Sequence, residues 1–449
     1  MRVWDVTEYG TRSDGVTNDA PAIQKAIDDC AAAGGGRVLV PAGRYLCGTI
    51  ELKNDVELHL SRGASLMASL NKEDIRITPC PDGAEEDSGY FIGALHAKGV
   101  SITGDGEIYG QGYKVMRDDG ADGEWHECPL MVDGFRPRLT YFEDVEDLRI
   151  QNVTFRDSAL WTLHMAGCRR VKVQGIQILN HRRGANNDGI DPDSCQDVVI
   201  SDCMIETGDD AIVVKTTKPM TERYGPCENI LIRDCILASH DSALKIGTET
   251  HGDIRNIIMS DCIVRDCSRG IGIWVRDGGT VENIQVHHIM GAVRRYANSG
   301  GRSFAPDWWG KGDPIFLSAT FRKGSSGPIG KIRNVYFDHI RMDAESSIFL
   351  RGEKESNIQN VYFQDVEITM KKQGTQEAGY FDEQPSERGV YAHEIPAIYA
   401  QCARDLSFQN MKIHWTKDRH ASWTSGIQTV DCQNIRVEGM AESVEEPLR

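Results

Sequence analysis

The chain has 449 residues, with 50 lysines and arginines against 67 aspartates and glutamates, which gives a formal net charge of −17 and an isoelectric point near 5.3. So acidic a protein is a poor partner for nucleic acid or for an anionic membrane. No apolar run approaches the roughly 20 residues that a membrane-spanning helix requires, and the start MRVWDVTEYG lacks the apolar core of a signal peptide. We therefore expect a cytoplasmic protein without nucleic-acid or membrane partners.

The first predicted element is an amphipathic helix in residues 19–30, with Asn18 or Asp19 as its N-cap and the glycines 34–36 at its end. It precedes the first predicted strand, which begins at Arg37. A solenoid needs a cap over its open end. We therefore expect residues 1–50 to form an N-terminal cap together with the first strands.

A short pattern recurs along the rest of the chain: an apolar residue, two further residues, an apolar residue or Cys, one residue, and another apolar residue. Successive copies are 23–32 residues apart, apart from two longer steps of 51 and 45 residues. The copies begin at Ile150, Val173, Ile200, Ile232, Met259, Val286, Phe337, Phe363, Phe408 and Val437.

This period predicts an all-β fold, a right-handed parallel β-helix of about ten or more coils. Each short strand cannot bury a core alone, so the coils must stack at the spacing of about 4.8 Å between neighbouring strands. Propellers need blades of about 40–45 residues, and leucine-rich repeats need a signature that is missing here. We expect one β-helix domain over 1–449, with polar, Gly-rich insertions at 291–330 and 371–397 as loops that rim a groove.

The 13 cysteines are scattered, mostly inside apolar runs, and their spacing does not match a zinc site. We interpret them as small buried hydrophobic residues in a reducing compartment.

Alignment of consecutive coils on the apolar ladder stacks polar residues in three columns. The first contains Asp188, Asp210, Ser242 and Arg269; the second contains Asn187, Asp209, Asp241 and Ser268; the third contains Asp191, Val213, Lys245 and Gly272. Single aspartates in solenoid turns are often turn-forming residues. Carboxylates crowded this closely resist joint ionisation, which permits one to act as an acid and another as a base in glycosidic hydrolysis.

The same residues carry a resemblance to a known family. The sequence Asn186-Asn187-Asp188-Gly189, followed by Gly208-Asp209-Asp210, resembles the NTD and GDD signatures of the polygalacturonases and related pectin hydrolases, glycoside hydrolase family 28. The resemblance implies an inverting hydrolase with Asp209 as general acid and Asp188 and Asp210 activating water. It also implies a pectic or other uronate-containing substrate and neither metal nor cofactor.

Two departures from the family pattern affect the expected substrate. Ser242 stands in the place of the family histidine, with His240 two residues earlier, and Gly272-Ile273-Trp274 replaces the family's Arg-Ile-Lys. Cations nearby, namely Lys245, Arg269 and Arg276, are alternative contacts for the carboxylate of a uronic acid or structural partners of the aspartates. A rhamnoside is an alternative substrate.

Aromatic side chains favour a platform for sugar rings at the groove rim. The candidates are Trp274, Tyr296, Trp308 and Trp309, and Asn186 and Asp191 complete the predicted substrate-binding set. Long loops over one end of the groove favour exo action on oligosaccharides.

Three other functions fit the same fold. A polysaccharide lyase would use Ca²⁺ and a basic residue, Arg269 or Lys245, for β-elimination. A glycan-rearranging transferase would give products without a reducing end. A non-catalytic carbohydrate-binding solenoid would bind glycans without cleaving them.

Overall fold

The structure is a computed structural model that describes residues 2–77, 89–117, 129–296, 310–355, 357–374 and 376–444. The chain divides into two compact units. Unit 1 contains the described residues up to Asp209, apart from Pro129, and residues 217–231; unit 2 contains residues 210–216 and the described residues from Ile232 onward. The predicted single domain over 1–449 stays a prediction.

The N-terminal helix spans Ala20–Ala32 and is followed by Gly34, whose φ of +89° is left-handed. Asp19 is the N-cap, and Asn18 accepts a hydrogen bond from the backbone N–H of Ala20 at 3.0 Å. The apolar face is buried: Ile23, Ala26, Ile27 and Cys30. The predicted helix is therefore confirmed.

Unit 1 is built from short parallel strands in two ladders. The longer ladder contains Val3–Asp5, Asp14–Asn18, Gly36–Val40, Gly43–Cys47, Val56–Leu60, Ala64–Ala68, Ser101–Gly104, Glu107–Tyr109, Arg149–Gln151, Thr154–Arg156, Arg169–Gln174, Gln177–Leu179, Gln196–Ser201, Met204–Thr207 and Cys227–Arg233, whose last two residues belong to unit 2. The shorter ladder contains Ile50–Glu51, Tyr90–Leu95, Arg138–Glu143, Leu163–Ala166 and Ile190–Asp193.

Smaller elements of unit 1 connect these strands. They are the 3₁₀ turns Val6–Tyr9, Lys72–Asp74 and Gly112–Val115, the antiparallel pair Met116–Arg117 and Met131–Val132, and the helix Lys218–Tyr224. Neither α-helix in the part of the chain that the structure describes has the length and apolarity needed to cross a membrane.

Unit 2 has the same two-ladder construction. One ladder contains Ile236–Ser239, Ile254–Ser260, Ile263–Cys267, Thr280–Val293, Lys331–Ala344, Ile358–Met370, Ala403–Gln409, Lys412–Trp415, Gln433–Glu438 and Ala441–Val444. The other contains Ile212–Thr216, Ser242–Thr250, Arg269–Val275, Asp313–Ala319, Ile348–Arg351, Ile395–Gln401 and Trp423–Val430. A hairpin joins Tyr380–Asp382 to Val390–Ala392.

The predicted repeat is the observed register. In unit 1 the parallel partners are Ile150 with Val173 and Val173 with Ile200. In unit 2 the ladder continues through Met259, Val286, Phe337, Phe363, Phe408 and Val437, each paired with the next. Because parallel strands connected this way cross over in the right-handed sense, the right-handed parallel β-helix is confirmed as the fold.

One predicted loop has the wrong extent. Residues 291–330 include the strand Asp313–Ala319, which is fully buried. The polar and Gly-rich composition around it concealed a coil strand, because strands that are buried on both faces show no alternation. The segment 371–397 contains the hairpin, and the place of either insertion at a groove rim stays a prediction.

The described cysteines behave as expected of small hydrophobic residues. Ten of the eleven are buried and all eleven are free thiols. Their reducing compartment stays a prediction.

Candidate active site

Unit 1 supplies a loop whose conformation is set by one buried amide. Asn187 donates from Nδ2 to the carbonyl of His181 at 2.8 Å, and its Oδ1 accepts from the backbone N–H of Gly208 at 2.7 Å and of Asp209 at 3.2 Å. The N–H of Asn186 donates to Asp209 Oδ2 at 3.3 Å. Asn187 therefore ties the loop before Asp188 to the turn that carries Asp209.

The glycine of this turn is required by close approach. A Cβ on Gly208 would lie 2.3 Å from the carbonyl oxygen of Gly184, so no larger residue fits without moving the backbone. The glycine of the Gly208-Asp209-Asp210 sequence is therefore required on steric grounds, which the spacing of the motif in the sequence did not show.

Asp188 and Asp209 are both buried, with 4% and 7% of their surfaces exposed, and carboxylate oxygens of the two lie within 4.8 Å of each other. Ionising both carboxyls so close together is costly. One of them can therefore hold a proton while the other is charged, which is the division that acid–base hydrolysis needs.

Unit 2 begins at Asp210, which is 2% exposed. Its Oδ2 accepts a hydrogen bond from the ammonium of Lys245 at 2.6 Å. Burial raises the pKa of the Asp210 carboxyl, the Lys245 ammonium opposes that rise, and neighbouring Asp241 adds to it.

Parts of the first and third predicted columns are confirmed within unit 2. Ser242 pairs with Arg269, and Val213 pairs with Lys245, which in turn pairs with Gly272. The first column also contains Asp313, because Asp313 pairs with Arg269. Sequence analysis did not place Asp313 there.

Arg269 is surrounded by protein carboxylates. Its guanidinium is 2% exposed and lies 2.8 Å from Asp241, 3.4 Å from Asp313 and 3.6 Å from Asp382. Lys311 adds a second buried cation, 3.0 Å from Asp382. Arg269 therefore serves as an internal counter-ion, and the expectation of a guanidinium open to a substrate carboxylate is wrong.

Trp274 and Arg276 also differ from expectation, since both are buried, at 1% and 2% exposed. The Trp274 ring stacks on Phe316 with centroids 4.7 Å apart, and Lys245 lies over its ring at 5.2 Å. Arg276 donates to the carbonyls of Val275, Ser318 and Glu383, and burial lowers its pKa. Neither side chain is an exposed sugar platform or a surface cation.

Tyr296 and His240 lie against each other in unit 2. Their rings stack with centroids 4.1 Å apart, and Tyr296 is fully buried with its hydroxyl 2.6 Å from the carbonyl of Asp266. Tyr296 is therefore not exposed at a rim, whereas His240 keeps 7% of its surface accessible. Trp308 and Trp309 lie outside the described residues.

The remaining predicted residues, Asn186 and Asp191, belong to unit 1. Asp191 is fully buried and pairs with His164 in the shorter ladder. Asn186 accepts from both terminal nitrogens of Arg136 at 3.4 Å, and Arg136 also donates to the carbonyl of Ala185 at 2.9 Å. Sequence analysis missed Arg136, since it lies outside the repeat and 50 residues from its partner.

Two groups of described residues have the spacing of metal ligands. Asp188 and Asp209 belong to one, and Asp338, His339 and Asp365 form the other on unit 2. The first group offers only carboxylate oxygens, which suit Ca²⁺ or Mg²⁺, whereas the second also offers a ring nitrogen of His339. The expectation that no metal is required stays a prediction.

Residues 30–294 match the family model described as glycosyl hydrolases family 28. Over 225 residues the chain is 33% identical to a probable polygalacturonase from Vitis vinifera, covering 47% of this chain and 44% of that protein. The chain thus spans less than half the length of this curated relative.

Solved structures resemble the whole described chain more closely in fold than in sequence. A family 28 exopolygalacturonase from Yersinia enterocolitica gives a TM-score of 0.72 at 17% identity, covering 97% of this chain and 78% of that one. A hyperthermoactive exopolygalacturonase from Thermotoga maritima gives 0.62 at 22% identity, covering 98% and 92%. At these identities the likeness establishes the fold alone.

Proposed function

The chain belongs to glycosyl hydrolase family 28, and on that premise we propose that it hydrolyses glycosidic bonds in pectic or related uronate-containing oligosaccharides. The observation that carries the proposal is the buried Asp188–Asp209 pair, with carboxylate oxygens within 4.8 Å, held in place by Asn187. The named activity of an exo-poly-alpha-D-galacturonosidase from Dickeya chrysanthemi, 26% identical over 47% of this chain and 41% of its own length, supports exo action on chain ends.

In the proposed reaction Asp209 donates its proton to the glycosidic oxygen as the bond between that oxygen and the anomeric carbon breaks. Asp188 and Asp210 accept a proton from the attacking water, whose oxygen forms the new bond to the anomeric carbon. Exchange of protons with solvent restores the starting state. Unequal protonation of neighbouring carboxyls permits this division of roles, and the family resemblance implies which aspartate is the acid.

Inversion at the anomeric carbon is proposed from the family resemblance rather than from spacing. Inverting enzymes commonly separate their carboxyls by about 6.5–9.5 Å, whereas the nearest oxygens of Asp188 and Asp209 lie within 4.8 Å. Proton NMR of the first product formed decides the point: an anomer opposite in configuration to the substrate supports inversion, and the same anomer refutes it.

The first test is substitution of the proposed acid. Asp209→Asn should lower kcat by at least about a hundredfold, because a general acid contributes on that order, while circular dichroism and thermal unfolding change little. Asp338→Asn, in the strand Lys331–Ala344 of unit 2, is a control for the loss of one carboxylate and should keep full activity. Near-normal turnover by Asp209→Asn would contradict the assignment.

A panel of pectic and rhamnogalacturonan oligosaccharides with mass detection identifies the substrate. Release of terminal uronic acid supports the proposal, and release of terminal rhamnose selects the rhamnoside alternative. Unsaturated products whose formation is abolished by a chelator select the lyase. Products without a new reducing end select the transferase, and binding without any cleavage selects the carbohydrate-binding module.

A further inference from the structure

The ion pair between Lys245 and Asp210 is more than an average surface contact. Its two atoms are 2.6 Å apart, and the side chains are only 13% and 3% exposed. Lys245 lies in the strand Ser242–Thr250, the neighbour of the strand that begins at Ile212, so the backbone register holds the pair. A short, buried, charge-assisted hydrogen bond of this kind fixes both position and charge.

Other charged groups that face Asp210 are already engaged. Arg269 is held by carboxylates, with Asp241 the nearest at 2.8 Å, and Lys215 lies 4.0 Å from Glu249. Asp241 and the chain neighbour Asp209 are acidic and disfavour a second negative charge. The ammonium of Lys245 donates directly to Asp210 and lowers the pKa of its carboxyl more than Lys215 does.

The same geometry argues against a substrate contact by Lys245. Its Nζ donates to Asp210, lies 3.9 Å from Asp241, and is placed over the ring of Trp274. A ligand carboxylate would have to compete with two protein carboxylates for this ammonium. The predicted role of Lys245 in binding a uronate therefore gives way to a role inside the protein.

We propose, on the basis of the proposed function, that Lys245 is a positioning residue that keeps Asp210 ionised and oriented to accept a proton from the attacking water. Without Lys245, burial and Asp241 would raise the pKa of Asp210 further. The carboxyl would then hold a proton over a wider range of pH. A protonated Asp210 cannot accept a proton from water, so activity would be lost first on the acidic side of the pH profile.

Lys245→Met keeps the length of the side chain and removes its charge. We expect kcat to fall about 10–100-fold, less than the roughly 100–10,000-fold typical of losing an acid–base group itself, with KM changed less than about threefold. The acidic limb of kcat/KM, which reports the free enzyme, should move upward by about one pH unit or more. Lys245→Arg should restore most of the activity and the original limb.

Lys372→Met is the matched control. Lys372 also pairs with a buried carboxylate, Glu345, at 2.7 Å, and the two side chains are 21% and 2% exposed. This variant should lose stability without any movement of the acidic limb. If the acidic limb of kcat/KM stayed at its wild-type position in Lys245→Met, the inference would be overturned. A rise in KM alone would also overturn it, in favour of direct substrate binding by Lys245.

A measurement without substrate separates this inference from the proposed function. Aspartate labelled with ¹³C at Cγ gives a carboxyl resonance for Asp210, assigned by its loss in Asp210→Asn. Its titration should move to higher pH in Lys245→Met and stay in place in Lys372→Met. No movement overturns the inference even in an active enzyme. Movement in a protein that cleaves nothing on the panel rejects the proposed function instead.

Discussion

The two units hold their buried carboxylates in different ways. In unit 1, the contacts of Asp209 include neutral amides, since the N–H of Asn186 donates to its carboxylate and the side chain of Asn187 accepts from its backbone N–H. In unit 2, Asp210 and Asp241 each lie against a cation, at 2.6 Å from the largely buried Lys245 and 2.8 Å from the buried Arg269. A hydrogen bond from a neutral amide fixes the position of a carboxyl and permits both of its protonation states, whereas an ion pair also favours the ionised state.

This comparison suits a division between acid and base. A general acid must be protonated in one step and ionised in the next, so placement by amides suits Asp209. A base must start ionised, so placement by an ammonium suits Asp210. The chain changes from one arrangement to the other between two consecutive residues.

The largest effect on stability should come from removing the central cation of unit 2. Arg269→Met leaves Asp241, Asp313 and Asp382 buried without their shared partner, and breaking a buried ion pair costs about 3–5 kcal/mol. Urea unfolding followed by circular dichroism measures the loss. Adding Asp241→Asn should recover part of it by removing one uncompensated charge. A loss under about 1 kcal/mol, the value for an exposed pair, would mean that the network contributes no more than surface charges do.

A smaller loss should follow from removing the amide that organises unit 1. Asn187→Ala leaves the backbone N–H groups of Gly208 and Asp209 without their acceptor, and a buried unsatisfied group costs about 1–3 kcal/mol. We expect about 2–3 kcal/mol in unfolding free energy together with a fall in kcat, because Asp209 loses its support. Unchanged kcat in a destabilised Asn187→Ala variant would show that Asp209 is placed by other contacts.

The smallest effect should come from an exposed amide of unit 2. Asn283 donates to Asn256 at 3.2 Å, accepts from Asn334 at 3.3 Å, and has a left-handed φ of 57°. Asn283→Ala should cost about 1–2 kcal/mol, mainly because alanine is disfavoured in that conformation. Asn283→Gly should cost less, since glycine adopts it freely. If glycine proved as costly as alanine, the hydrogen-bonded row of amides would be the dominant contribution.

Much of this fold could be predicted because period and alternation fix register. A shift by one residue would turn every apolar side chain outward, so the alignment that paired Val286 with Phe337 also paired Ser242 with Arg269. The cluster of Asp188 and Asp209 followed from the same alignment. The family signature then gave those residues a chemical role that register alone does not provide.

The errors have a common physical origin. Trp274 and Arg276 were expected at a surface, yet the strand Arg269–Val275 is buried throughout. The partners that bury Arg269 lie far along the chain, at Asp313 and Asp382. Asp313 begins a coil strand that the polar, Gly-rich sequence around it concealed, and Asp382 lies in the hairpin outside the repeat, so the apolar period predicted neither contact. Which charged residues pair over such long sequence separations depends on the folded structure.

The reactivity of the buried thiols can report whether the fold around them is intact. Cys195 and Cys227 are fully buried, and burial raises the pKa of both, so little thiolate exists to react while the fold is intact. Cys262 and Cys267 are protected in the same way within unit 2. Alkylation at each of these sites, followed by peptide mass analysis, therefore measures how often each stretch of the solenoid opens and whether the two halves open together.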